Sequence, residues 1–66
     1  MNKKGYDAIM RRTGEAWRQL DFAKPFLYEN LEGELADKIC QKLYEAQQII
    51  FEAENLLPDP SEKEAD

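Results

Sequence analysis

The stretch Asn30-Leu31-Glu32-Gly33-Glu34 decides how this chain folds, because the apolar periodicity on its two sides cannot be drawn as one helix. Upstream, one heptad frame (positions a to g) places Tyr6, Thr13, Leu20 and Leu27 at a and Ile9, Ala16, Ala23 and Asn30 at d, with Met10, Trp17 and Leu31 flanking at e. Carried across the break, that frame would put Glu34 and Asp37 into the apolar seam. A second frame restores the stripe, with Ala36, Leu43, Ile50 and Leu57 at a and Ile39, Ala46 and Ala53 at d. The chain must therefore turn back on itself. The expected fold class is all-α, an antiparallel helical hairpin with helices over about residues 5–31 and 34–57. Gly33 is expected to take the left-handed conformation that ends the first helix.

Two prolines near the far end and one inside the first stripe refine this reading. Pro58 and Pro60 close the second helix, and residues 58–66 are expected to be a disordered acidic tail beyond a hairpin domain of residues 1–57. Pro25 removes a helical hydrogen bond and crowds the carbonyl of Asp21, so a kink is expected near it. A full break at Pro25 would give three helices instead of two.

Antiparallel pairing sets Leu27 beside Ala36, Leu20 beside Leu43, Thr13 beside Ile50 and Tyr6 beside Leu57. The alanines at 16, 23, 46 and 53 then allow close approach between bulkier layers. The second stripe is wider than one partner helix needs, since Ile49 and Leu56 extend it on one side and Cys40, Tyr44 and Phe51 on the other.

A chain of 66 residues buries too little to be stable without a staple, and the staples are few. One cysteine forbids an intrachain disulfide, and the absence of histidine forbids the usual Cys/His zinc site. Oligomerisation remains. The expected assembly is a homodimer forming a four-helix bundle, with Leu20, Leu27, Ile39, Leu43, Ile50 and Leu57 in its core.

Charge divides the chain more sharply than its total of −5 suggests. Through Lys24 there are six basic and three acidic residues; from Pro25 onward there are three basic and eleven acidic. An anion-binding surface must come from the first part, where Lys4, Arg11 and Arg18 recur every seven residues as a nucleic-acid candidate. Arg11 and Arg18 are expected level with Glu52 and Glu45, whose charge would weaken that field. The acidic remainder allows a third idea, a mimic of nucleic acid that occupies a basic partner. No apolar run reaches membrane-spanning length and Met1 to Tyr6 leads into charge, so a cytoplasmic protein without membrane association is expected.

Chemistry-bearing residues are sparse. Cys40 lacks a histidine base, and Asp37 three residues away is the wrong neighbour for a thiolate, so a small packing residue is expected. The carboxylates at 29, 32, 34, 45, 52 and 54 have no concave site predicted around them. The di-iron bundle motif needs histidine, and Gly5, Gly14 and Gly33 lie too far apart for a phosphate loop. The expectation is a protein without catalytic residues, metal or cofactor. Tyr44 and Phe51 are expected buried at the dimer interface, and Trp17 reads as a large core or boundary residue. Phe22, Pro25 and Phe26, one turn apart near the hairpin end, read either as a patch for a protein partner or as rings turned into the dimer core.

With alanines alternating with larger residues and a dimer needed to close the core, the pattern resembles in architecture the RNA-binding Rop-type bundle. The local likeness lies at Ile39, Cys40 and Leu43. That resemblance implies paired first helices facing RNA through Lys4, Arg11 and Arg18, although Thr13 and Gly14 stand mid-helix where an aromatic contact would help. From the residues themselves, the leading expectation is a homodimeric, non-enzymatic adaptor, inhibitor or regulatory factor that binds another protein.

Overall fold

The structure, a computed structural model, describes residues 1–60; part of the acidic tail expected over 58–66 lies outside the described residues. Two helices account for nearly all of it, α1 over Lys3–Asn30 and α2 over Gly33–Asn55. They pack side by side as an antiparallel hairpin, and among the described residues there is no strand.

Helix α1 begins at Asn2, whose Oδ1 accepts the Gly5 N–H at 2.7 Å and so satisfies one of the donors that every helix N-terminus leaves open. It then runs through Pro25 as a single helix, which rules out the three-helix alternative. Pro25 itself is exposed on α1.

The turn differs from expectation in one respect. Gly33 does not cap α1 in the left-handed region; it is the first residue of α2, and no described glycine has positive φ. The reversal is made by Leu31 (φ −130°, ψ 159°) and Glu32 (φ −65°, ψ 155°), two extended residues that any side chain tolerates. Helix α2 ends at Asn55, two residues before the expected limit, with the Leu56 N–H bonded back to Ala53 and the Leu57 N–H to Glu54. Pro58 explains the stop, because it disfavours helical geometry at Leu57.

The larger difference lies in which residues meet. The expected seam was a with d, yet Ala16 and Ala53 are exposed while within the two stripes every e residue but Trp17 is at least half-buried. On α2 the fully buried residues are Ala36 at a and Gln47 at e; Cys40, Leu43, Ile50, Glu54 and Leu57 at a and e are half-buried, as are Ile39 and Ala46 at d. On α1, the a residues Tyr6, Thr13, Leu20 and Leu27 and the e residues Met10, Lys24 and Leu31 are at least half-buried. Trp17, expected as a core or boundary residue, is 40% exposed, and its backbone carbonyl accepts from Gln47 of α2.

Polar bonds between the helices account for the rotation. Gln47, 1% exposed, donates from Nε2 to the Trp17 carbonyl at 3.1 Å and accepts at Oε1 from Lys24 Nζ at 2.9 Å. Lys24 also pairs with Asp21 at 3.3 Å. Thr13 Oγ1 lies 3.0 Å from the Ile9 carbonyl and bonds the Glu54 carboxylate across the seam. Of these groups only Gln47 is fully buried, and leaving a buried amide unpaired costs about 1–3 kcal/mol. The same bonds fix the antiparallel order, with Thr13 against Glu54, Trp17 against Gln47 and Tyr28 against Asp37.

Candidate interaction surface

Turning the seam toward e gives the hairpin two unlike flanks. In an antiparallel pair, equivalent heptad positions of the two helices fall on the same side of the contact. Tyr28 and Asp37, both at b, show this directly through their hydrogen bond.

The b flank is aromatic and polar. Tyr28, Asp37, Cys40, Gln41, Tyr44 and Lys24 line an open concavity of about 500 Å³ between the helices. The Tyr28 hydroxyl donates to the Asp37 carboxylate, which, with the Cys40 thiol as a further neighbour, holds the phenol protonated well above the ordinary tyrosine range. Phe51 lies about two turns beyond Tyr44 on the same stripe, and both are exposed. Cys40 is half-buried and unpaired, in keeping with a packing role at the concavity wall.

The opposite flank, formed by the d and g positions, is mainly apolar. It carries the four alanines that were expected inside the hairpin, together with Ile9, Ile39, Leu35, Ile49, Leu56 and Phe26. Ile49 is 63% exposed and Leu56 84%. Arg12, Gln19 and Lys42 are the polar residues at its g positions. Ala16, Ala53, Leu35 and Phe26 are exposed as well, whereas Ile9, Ala23, Ile39 and Ala46 are half-buried; Ala36 is the one fully buried apolar residue among the described residues.

The residues expected in a dimer core, Leu20, Leu27, Ile39, Leu43, Ile50 and Leu57, are each half-buried in the single hairpin. Phe22, Pro25 and Phe26 are all exposed on consecutive turns of α1, with Phe26 at g on the edge of the alanine flank and Phe22 and Pro25 farther out. Lys4, Arg11 and Arg18 are exposed along the f line. Among the described residues, the ion pairs join neighbours along one helix, at 3.2 Å for Lys3–Asp7, 3.9 Å for Lys38–Glu34 and 3.6 Å for Lys42–Glu45. The expected levelling of Arg11 with Glu52 and Arg18 with Glu45 produces no ion pair there.

Among the described residues, no three acidic or thiol side chains converge as a metal site, and no helix is long and apolar enough to cross a membrane. What the sequence reading missed is the role of the e positions. Gln47, Lys24 and Glu54 were legible as polar residues bordering the stripe on the side where the α1 frame already carried Met10 and Trp17. Comparison with protein-family models, with curated proteins and with solved structures finds no match.

Proposed function

We propose that this chain is a homodimeric helical-hairpin protein without catalytic activity, working as an adaptor, inhibitor or regulatory factor that binds another protein. One observation carries the reading: large apolar side chains stand exposed on two separate flanks, while the hairpin itself buries a single alanine completely. Soluble monomers seldom leave contiguous apolar patches of this extent uncovered. Two flanks allow one to close the dimer while residues outside that contact, including Phe22 and Pro25, meet a partner. The test is retention of a defined partner by tagged chain from nuclease-treated native lysate. Phe22→Ser should release that partner without changing the mass of the bait assembly, and retention that vanishes with nuclease would contradict the reading.

A second reading has its own support. Lys4, Arg11 and Arg18 are exposed at seven-residue spacing without a carboxylate partner among the described residues, as a phosphate-tracking stripe requires. A gel-shift titration decides it: Rop-like RNA binding would weaken steeply with salt and fall on Arg11→Glu. Absence of any shift at low salt would remove it.

A further inference from the structure

We infer that the concavity on the b flank receives an arginine side chain of a protein partner, its guanidinium held between Tyr28 and Tyr44 against the Asp37 carboxylate. The inference rests on the protein-binding reading above and adds the place and the chemistry of the contact.

Hydrogen-bond accounting is the first argument. Three of the lining residues spend donors inside the hairpin: the Tyr28 hydroxyl on Asp37 Oδ1, Lys24 Nζ on Gln47 Oε1 at 2.9 Å and on Asp21 at 3.3 Å, and Gln41 Nε2 on Glu45 at 3.5 Å. Among the described residues, the bonds leave acceptors open, namely the second carboxylate oxygen of Asp37 and the side-chain carbonyl of Gln41, one turn apart on α2. A ligand that fills the concavity must therefore bring donors. A guanidinium carries five and no acceptor.

Charge selects the same ligand. Lys24 is the basic residue of the lining, and its pairing with Asp21 leaves no net charge there. The flanking cations are also engaged, Lys38 with Glu34 at 3.9 Å and Lys42 with Glu45 at 3.6 Å, and Arg11 and Arg18 do not line the concavity. Asp37 has no ion-pair partner among the described residues, because the phenol that bonds it is neutral. The lining thus presents one uncompensated negative charge.

The rings decide between cations. Tyr28 of α1 and Tyr44 of α2 line the concavity from opposite helices, each about half exposed. A planar, weakly hydrated guanidinium stacks on such rings, whereas an ammonium holds its water more strongly. The volume of about 500 Å³ is at the scale of small-ligand clefts and ample for one side chain.

Continuity points to the source. Pro25 is one turn from Tyr28 on α1, so the exposed Phe22 and Pro25 patch proposed for the partner adjoins the concavity wall. A protein seated on that patch can deliver a side chain between the tyrosines.

The test titrates isotope-labelled native chain with N-acetyl-arginine methylamide, follows amide shifts by nuclear magnetic resonance, and repeats the titration with the lysine analogue. Expected are saturable shifts at Tyr28, Asp37, Gln41 and Tyr44, with the lysine analogue binding roughly three- to fivefold more weakly. Asp37→Asn and Tyr44→Ala, both at exposed positions, should each weaken the arginine analogue about threefold with circular dichroism unchanged. The comparison of the two analogues on the native chain stands whatever the variants do to folding. Equal binding of both analogues, or shifts spread over Glu34, Glu45 and Glu52, would reduce the effect to charge screening and overturn the inference. A fall in dimer mass in either variant would overturn it too, because a second copy would then cover this flank. Failures of the two readings are distinct: a partner retained from lysate without these shifts would sink the arginine site alone, and these shifts in a chain that retains no partner would sink the protein-binding reading.

Discussion

At the scale of single residues, the hairpin is specified by polar groups placed where a heptad frame asks for apolar ones. Gln47 illustrates the logic: its amide is buried, and both ends are satisfied by groups of α1, so sliding or rotating the helices strands a donor and an acceptor together. Gln47→Ala should lower the unfolding free energy by about 1–3 kcal/mol, read from urea denaturation. A change below a few tenths would show that the bridge does not hold the seam. Tyr28 gives a pH test. Its pKa is raised in the folded chain because the neutral phenol donates to Asp37, so the folded state retains a proton that the unfolded chain has released above about pH 10. That contribution is complete below the ordinary tyrosine pKa and is lost as pH rises toward the folded value. Stability should therefore decline above about pH 10 in the native chain and more gently in Tyr28→Phe, followed by thermal melts across that range.

At the scale of elements, the sequence shows why two helices form and roughly where they end. The clash of Glu34 and Asp37 with a continued frame locates the reversal, and Pro58 locates the end of α2. Gly33 offers a check on the corrected turn. As the first residue of α2 with open space where a Cβ would stand, it has no need to be glycine. Gly33→Ala should stabilise the protein by about 0.4–1 kcal/mol through the smaller entropy of the unfolded chain. Destabilisation would instead favour a left-handed cap at this position. The rotation of the seam was harder to read, for a physical reason. Periodicity reports that a broad stripe exists on the helix, but where the facing helix sits within it depends on bonds between residues far apart in sequence. Thr13 with Glu54, and Gln47 with the Trp17 carbonyl, are such bonds, and the second involves a backbone atom that no side-chain pattern records. The exposed aromatics at 22, 26, 44 and 51 were visible as apolar residues at boundary positions, but their distribution over two flanks follows from the rotated seam.

At the scale of the whole molecule, the structure is a thin pair of rods with extents of 53 × 16 × 7 Å between Cα positions, too slender to enclose a core. On the dimer proposal, fold and assembly are one equilibrium. Ile50→Asp, which places a charge in the half-buried seam, should remove dimer and helix content together, seen as loss of far-ultraviolet circular dichroism alongside loss of dimer mass. A variant that stays helical as a monomer would separate the two. The most direct measurement is sedimentation equilibrium of the native chain over a wide concentration range, combined with thermal melting at each concentration. The account predicts a species of twice the 7.7 kDa chain mass and a midpoint that rises with concentration. A 7.7 kDa monomer that melts cooperatively at a concentration-independent temperature would contradict it.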